Sequence, residues 1–397
     1  MADQSRLLIK FSGVSGKVAT RFVILIGVVS LFSDLTYEGA RSVAGPFLAT
    51  LGASGTGVGF VAGLGELIGY GFRLVSGYLA DKTRQYWAIV FFGYALNLLA
   101  VPLLALAGHW EIAALLMVAE RTGKAIRTPA RDVMLSCASD SIGQGWGFGL
   151  HEALDQIGAI LGPLVVALVL YSTGKYENAF ALLLIPALIA LTVLFVAYKL
   201  YPEPQNLASA TIKLESTGLP KSFWFYILAT ACVAAGYADF PLVAYHFKKA
   251  ASVPEQWIPI LYSVAMGVDA IAALIFGRMF DRIGISALVG SIFLSALFAP
   301  LVFWGDFHSA IIGMALWGVG MGAQESVMRA AIGMVVPQNR LGLAFGLFNT
   351  IFGVAWFVGS LTMGILYDVS ITSLIIFSVG IQLLAIPVIM ICSKPRP

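Results

Sequence analysis

Charge is scarce in this chain. Of its 397 residues only 11% are Asp, Glu, Lys or Arg and 59% are apolar, with a mean hydropathy of +0.88. A soluble globular domain carries roughly a quarter charged residues, so the composition excludes that class. Cysteine is nearly absent. Cys137, Cys232 and Cys392 lie in or near long apolar runs without metal-ligand spacing and read as small apolar fillers, which argues against a zinc or redox device. Histidine is equally sparse, at 4 residues, and there is no His-Glu-x-x-His, Gly-x-Ser-x-Gly or suitable aspartyl pair to support an intramembrane enzyme. The glycine clusters Gly145, Gly147, Gly149 and Gly318, Gly320, Gly322 have no preceding strand and no following Lys-Ser/Thr, so they are not phosphate loops. No metal, cofactor or nucleic acid is therefore expected, and no loop is long enough to hold an enzyme domain.

What the chain has instead is a series of apolar stretches of about 20 residues, the length a helix needs to cross hydrocarbon. They fall near 22–48, 58–76, 87–107, 111–136, 146–171, 178–200, 222–247, 256–276, 286–304, 309–335, 342–367 and 371–392. Their period is helical, not the ten-residue alternation of an outer-membrane barrel. The 42 glycines and 16 prolines imply that several spans bend. With the N-terminus in the cytoplasm, that side receives Arg6, Lys10, Lys17, Arg21, Lys82, Arg84, Lys199, Lys213, Lys221, Arg278, Arg282, Arg340, Lys394 and Arg396; the other side holds little beyond Lys175, Lys248 and Lys249. The excess of basic residues predicts a multi-pass protein of the cell (inner) membrane with both termini cytoplasmic. The first stretch is too long for a cleavable signal and is interrupted by Asp34, Glu38 and Arg41.

A short phrase occurs twice, each time where an apolar helix meets a basic turn: Gly77, Tyr78, Leu79, Ala80, Asp81, Lys82, and then Gly277, Arg278, Met279, Phe280, Asp281, Arg282. Phe148, Gly149, Leu150 are likewise echoed by Phe345, Gly346, Leu347, followed at the same offset by Gly162 and Gly359. The longest polar connection, 201–221, divides the chain at its middle. The expected fold is an all-α integral membrane protein of twelve transmembrane helices in two pseudo-symmetric six-helix bundles, 1–200 and 222–397, joined by a cytoplasmic linker. Repeated halves of this kind are the architecture of secondary transporters. One such chain needs no partner beyond the lipid bilayer to form a pathway, so a monomer suffices.

Over essentially its whole length the chain resembles the major facilitator superfamily. That family's loop pattern, Gly-x-x-x-Asp-Arg/Lys-x-Gly-Arg, matches Gly77, Asp81 and Lys82, with Arg84 and Gln85 replacing its later Gly and Arg; Gly277, Asp281, Arg282 and Gly284 fit better. The resemblance implies that this aspartate latches one conformation against basic groups of the fourth span, here Arg127 and Arg131. Gly149, Gly158, Gly162 and Pro163 resemble the fifth-span motif of the twelve-span drug/proton antiporters, although Val166 and Ala167 replace its trailing glycines. Gly158 and Gly162 also make a small-xxx-small face for close helix approach, and Pro163 bends the helix.

Ionisable residues within spans are costly and so are functional candidates. Asp34, Glu38 and Arg41 share one face of the first span. A Glu38–Arg41 pair would leave Asp34 as a spare carboxylate, suited to carrying a proton in low dielectric. Glu120, Lys124, Arg127 and Arg131 form a charged stripe on the fourth span with Arg121 beside it, and Glu120 to Lys124 has the favourable i to i+4 order. His151, Glu152 and Asp155 lie on the fifth span, where the two carboxylates are candidate partners for those cations. Glu66 with Arg73, Asp239 beside Pro241 (where a broken helix would expose carbonyls), Asp269, and Glu325 with Arg329 complete the set. Tyr37, Tyr70, Tyr237, Trp317 and Trp356 either line a cavity or pack. These features point to alternating-access transport of a small molecule with protons as coupling ion, first of all efflux of an amphiphilic or cationic compound. An anionic solute or a metal complex, and a non-transporting sensor or scaffold on the same fold, stay open as alternatives.

Overall fold

A computed structural model describes residues 16–139, 142–202, 219–336 and 341–392. The regular structure among them is helical, and the helices group into twelve segments: α1 (Gly16–Thr50), α2 (Gly55–Thr83), α3 (Tyr86–Leu103), α4 (Trp110–Ser139), α5 (Gln144–Thr173), α6 (Tyr176–Leu182 with Leu184–Leu200), α7 (Lys221–Gly236 with Phe240–Lys249), α8 (Trp257–Ile283), α9 (Ala287–Ala296 with Phe298–Phe303), α10 (Phe307–Ala323, Gln324–Met328 and Arg329–Val335), α11 (Leu341–Val369) and α12 (Ile371–Cys392). Among the described residues nine helical stretches are long and apolar enough to cross a membrane, and one of them, Trp257–Phe303, runs 47 residues and contains both α8 and α9. α4 falls outside that set because of its charged stripe, and α10 because a π-helical segment, Gln324–Met328, interrupts it. Most of the 201–221 linker, and with it Lys213, lies outside the described residues, as do Arg6, Lys10, Arg340, Lys394 and Arg396.

The internal duplication is visible in the packing. In the first half α1 packs on α5 and α6, α3 on α4 and α6, and α2 on α4; in the second, α7 packs on α11 and α12, α9 on α10 and α12, and α8 on α10. Each pair maps onto the other by a shift of six helices. The two bundles meet through α1 with α7, α2 with α11, and α5 with α8, a set that the same shift maps onto itself.

Close approach at these contacts requires glycine. Gly162 of α5 lies against the Leu35 carbonyl and the Gly39 amide of α1, and Gly158 lies against the Leu31 carbonyl, so a Cβ at either would strike backbone. At the equivalent place in the second half, Gly359 of α11 lies against Ala235 of α7. Gly149, by contrast, faces open space, so only the later part of the fifth-span motif serves the α1 contact.

α7 is broken at Tyr237–Asp239, with Pro241 at the start of its second half. The expectation that this break would leave carbonyls free for a solute is corrected by the structure. The Gly236 carbonyl accepts from Ser378 Oγ at 2.6 Å and Gln382 Nε2 at 3.0 Å, and the Ala238 carbonyl from Trp317 Nε1 at 2.9 Å. In a medium without water, side chains of α10 and α12 satisfy these groups.

The repeated loop phrase ends both α2 and α8 at a residue with positive φ, but the two turns differ in ψ. Gly284, which caps α8, has φ +62°. Arg84 at the equivalent position caps α2 with φ 54°, donating its backbone N–H to the Ala80 carbonyl at 2.8 Å. This left-handed conformation costs a non-glycine residue about 1–2 kcal/mol, so the departure at Arg84 stores strain. Arg84→Gly is expected to raise the thermal midpoint in detergent by about 1–2 °C; a lowered midpoint contradicts this account.

Candidate functional site

The polar interior is concentrated in the first bundle and lies on the faces of α1 and α4 that the residue spacing defines. The end of the molecule at which α1 begins is called the near end below, and the opposite one the far end. Arg41 of α1 is the central group. Its Nη2 donates to Asp239 Oδ1 of α7 at 2.8 Å and to Glu66 Oε1 of α2 at 3.1 Å. Glu66 Oε1 also forms an ion pair with Arg121 Nη2 of α4 at 3.3 Å, and Arg121 Nε lies 3.5 Å from Glu120 Oε2. Glu120 Oε1 takes the Asn97 Nδ2 of α3 at 2.7 Å. The expected local pairs do not form these bonds. Arg41 bonds with Glu66 and Asp239 and not with Glu38 three residues away, because α2 and α7 present carboxylates to the tip of its long side chain. Glu120 is likewise held by Asn97 and Arg121 and not by Lys124.

One turn toward the near end, the pattern changes from ion pairs to tyrosine bridges. Glu38 Oε2 accepts from Tyr262 of α8 at 2.5 Å, which is a second bond between the bundles. Lys124 Nζ donates to the Tyr37 hydroxyl at 2.5 Å, and that hydroxyl donates to Asp34 Oδ2 at 3.0 Å. Asp34 is 7% exposed, and no cation lies within 4.0 Å of it among the described residues. The three groups form a line from ammonium through phenol to carboxylate.

Further toward the near end Arg127, 1% exposed, donates to Ser33 Oγ at 3.1 Å and lies 4.2 Å over the Tyr94 ring, with Nε and Nη1 unpartnered. Arg131 Nη2 meets Asp132 at 2.8 Å, and its Nη1 meets Ser30 Oγ at 3.3 Å and Asp155 Oδ2 at 4.0 Å. His151 joins the cluster through Ser30 at 2.9 Å and Asp155 at 3.5 Å. Asp155 thus meets one fourth-span cation as expected. Glu152 is exposed and pairs with Gln156 instead, at 3.4 Å.

The latch residues are not joined in this conformation. Asp81 is exposed and accepts from Tyr86 at 3.5 Å, while Arg127 and Arg131 turn inward as described. Gly77 does face α4, where a Cβ on it would meet Pro129, between the two arginines, at ordinary contact distance. Asp281 and Arg282 are exposed, and Gly277 faces open space. Glu325 sits in the π segment of α10, which packs on α8 near buried Asp269; the Asp269 Oδ1 is buried without a partner. These two carboxylates belong to the second bundle and stand apart from the Arg41 network.

Sequence reasoning did not single out Asn97 and Tyr262. Asn97 carried a signal, as the one amide in the otherwise apolar or aromatic α3. Nothing distinguishes Tyr262 locally from the other interfacial tyrosines.

The bundles are also joined at the far end. Asp368, at the end of α11, accepts from the backbone N–H groups of Gly55 and Thr56 at the start of α2, at 2.9 and 2.8 Å, and from Thr56 Oγ1 at 2.7 Å. A carboxylate at a helix N-terminus satisfies unpaired donors and the helix dipole together. Tyr245 donates to the Ala53 carbonyl at 3.1 Å, and Tyr176 to Glu255 at 2.7 Å. Partial burial of Glu255 opposes its ionisation, but hydrogen bonds from Lys248 and Tyr176 outweigh it and hold its pKa below the ordinary 4.5. This contact is therefore complete above pH 4.5 and is lost only in acid below that value.

Two six-helix bundles related by duplication, with an ion pair buried where they meet, define a multi-pass membrane transporter and not an enzyme. The sequence pattern of the Major Facilitator Superfamily matches residues 26–360 and 240–397, and the chain belongs to that family. An uncharacterized protein of Mycobacterium tuberculosis is 39% identical over 385 residues, covering 95% of this chain and 94% of the relative. An uncharacterized MFS-type transporter of Methanocaldococcus jannaschii is 26% identical over 358 residues, covering 88% and 89%. Among solved structures, a mutant of the nucleoside transporter NupG is similar with a TM-score of 0.77 at 12% identity, covering 94% of this chain and 100% of that one. A bacterial homolog of the human lysosomal transporter Spinster, inward-facing and unoccupied, gives 0.73 at 13% identity, covering 94% and 97%. At such identities the structures share the fold.

The network generates a stability prediction. Arg41→Ala leaves Asp239 as an uncompensated buried charge and is expected to cost about 3–5 kcal/mol. Adding Asp239→Ala should restore at least about 1 kcal/mol, read from thermal midpoints of the four proteins in detergent. Additive losses contradict the pairing.

Proposed function

We propose that this protein is a proton-coupled exporter of small cationic or amphiphilic compounds, working by alternating access in the inner membrane with both termini in the cytoplasm. Residues 1–200 and 222–397 are the two rocking units and 201–221 the linker. The reading is carried by the Lys124–Tyr37–Asp34 line. A buried carboxylate with a phenol donor and no direct cation is suited to gain and lose a proton as its surroundings change. The near end is the cytoplasmic one, and the far-end bonds of Asp368, Tyr245 and Glu255 close the outer side. When the near end closes in turn, Asp81 approaches α4 and the loop latch forms with Arg127 and Arg131. The second half contributes Asp239 and Glu325 to the pathway.

An anionic solute is disfavoured by the charge balance. Around Arg41 two guanidinium groups face three carboxylates, Glu66, Glu120 and Asp239, and Arg131 is taken by Asp132 and Asp155. Of the fourth-span cations, Arg121 and Arg131 are thus held by carboxylates, while Lys124 meets the Tyr37 phenol and Arg127 meets Ser33. A sensor or scaffold, the non-transport alternative, moves no protons in response to solute.

In proteoliposomes holding a pH-sensitive dye, cationic solutes are expected to drive proton movement of the antiport sign, and Asp34→Asn to reduce it at least about tenfold. Asp239→Asn, which weakens the Arg41 clamp, should change the rate while leaving the proton-to-solute ratio intact. Silence with cationic, neutral and anionic solutes, from folded protein, sinks the proposal. Alternating access has its own test, with Val61→Cys placed in a background where the native cysteines are Ala. Asp368→Ala should speed labelling of that thiol from outside about tenfold, the shift that some 1.4 kcal/mol produces, with Asp368→Asn in between. Unchanged labelling removes Asp368 from the gate.

A further inference from the structure

A carboxylate that the export cycle leaves unused stands beside Asp34. His151 of α5 is bonded to Ser30 of α1 at 2.9 Å, and four residues further along each helix stand Asp155 and Asp34. Residues at i and i+4 share a helix face, so the two carboxylates occupy the next rung of the same α1–α5 contact. Gly158, three residues beyond Asp155, has the same register: a Cβ on it would lie 3.1 Å from the Asp34 Cβ. Burial apart, Asp34 exerts the largest effect on the Asp155 charge. Each carboxylate has one oxygen engaged and one free. Asp34 Oδ2 accepts from the Tyr37 hydroxyl at 3.0 Å, and its Oδ1 takes no hydrogen bond among the described residues. Asp155 Oδ2 faces His151 Nδ1 at 3.5 Å and Arg131 Nη1 at 4.0 Å, while its Oδ1 is buried without a partner. The other charged groups acting on the pair are Lys124, Arg127 and Arg131 of α4, Glu38 of α1 and Glu152 of α5. Of the three cations only Arg131 lies within 4.0 Å of either carboxylate, and its closer bond, at 2.8 Å, is to Asp132. Lys124 is on the Tyr37 phenol, and Arg127 is on Ser33 and the Tyr94 ring. Two adjacent carboxylates in low dielectric do not both ionise readily, and one proton between them relieves the repulsion.

We infer that Asp34 and Asp155 are a single proton-carrying pair, sharing one exchangeable proton between their free Oδ1 atoms, and that Arg131 determines which of them holds it. In the present conformation Arg131 stands by Asp155, so the proton sits on Asp34 Oδ1 and Asp155 is the anion. When the near end closes and Arg131 turns to Asp81, Asp155 loses its cation. The Oδ1–H bond of Asp34 then breaks as the same proton bonds to Asp155 Oδ1, directly or across one water. Asp34 is left as the anion, with the Tyr37 phenol and Lys124 behind it. No proton enters or leaves the pair in that step. Asp155 is thereby a second proton-carrying residue, and the position of the shared proton follows the state of the loop latch. Its use in transport rests on the export reading, whereas the titration of the pair is read on purified protein without solute.

An infrared titration of the purified protein, following the C=O stretch of protonated carboxyls, tests the pair in wild type, Asp34→Asn, Asp155→Asn and the double variant. The double variant supplies the background of all other carboxyls. A pair is expected to release its protons in two steps whose separation exceeds the difference between the two single-variant midpoints by at least about one pH unit. A wild-type curve equal to the sum of the single-variant curves overturns the pair. Asp34→Ser and Asp155→Ser repeat the comparison should an asparagine variant not fold. Arg131→Gln should move the Asp155 midpoint, measured in Asp34→Asn, by more than the Asp34 midpoint, measured in Asp155→Asn; equal movement removes Arg131 from the choice. In proteoliposomes Asp155→Asn should reduce solute-driven proton movement as Asp34→Asn does, at least about tenfold, with no further loss in the double variant. Movement unaltered by Asp155→Asn overturns the pair, and so do losses that multiply. Linked titration in a protein without solute-driven proton movement leaves the pair standing and removes the export reading; unlinked titration with such movement does the reverse.

Discussion

The structure depends on neutralising buried charge, and Arg41 is where that requirement is concentrated. A guanidinium in the middle of a membrane protein is tolerated only with carboxylates on it. Arg41 takes one from its own bundle, Glu66, and one from the other, Asp239. The first bond orders α1 against α2; the second ties the bundles together at mid-height. Glu66 then needs no separate partner because Arg121 shares it, and Asn97 holds Glu120 where Arg121 can reach. The positions of five helices are fixed by one chain of donors and acceptors. The backbone geometry nearby is compatible with this only because Gly39, Gly158 and Gly162 let α1 and α5 touch.

The two kinds of contact between the bundles differ physically. At the far end Asp368 and Tyr245 meet main-chain groups, so the partners there are fixed points of helix ends. At mid-height Arg41 and Glu38, themselves on flexible stems, meet side chains, Asp239 and Tyr262. Side-chain pairs can lengthen or exchange partners through small rotations, whereas the helix-terminal contact holds or releases as a unit. A rocking motion that opens the far end must therefore give up the Asp368 cap, while the mid-height bonds can persist through part of the movement.

Much of this was legible in the sequence, for reasons that are themselves physical. Hydrocarbon imposes a minimum apolar length, so the twelve stretches were readable one by one. The duplication was readable because Asp81 and Asp281, and Gly162 and Gly359, recur in register. The faces carrying Asp34, Glu38, Arg41 and Glu120 through Arg131 followed from helical spacing alone. The partners did not. Spacing suggested Glu38 for Arg41 and Lys124 for Glu120, but neighbours along one helix compete with groups that other helices bring closer, and in a medium of low dielectric the better-aligned partner wins. Tyr262 had no local signature because its role is created wholly by α8 meeting α1. The carbonyls at the α7 break were also misjudged, since Ser378 and Gln382, which satisfy Gly236, lie 142 and 146 residues away.

The duplicated halves have diverged in chemistry while keeping their packing. The first bundle carries five buried or half-buried cations at the centre, Arg41, Arg121, Lys124, Arg127 and Arg131, and the carboxylates that balance them. The second answers with Asp239 and Tyr262 across the interface and keeps Asp269 and Glu325 on its own side. Equal charge loads on both faces would lock the halves together through many ion pairs, each needing a replacement partner before either bundle could move. A loaded bundle against a nearly apolar one leaves few bonds to exchange. The asymmetry thus reconciles a charged interior with few bonds across the interface: most of the buried charge sits in the first six helices, and on the alternating-access reading the last six need exchange few partners to move over them.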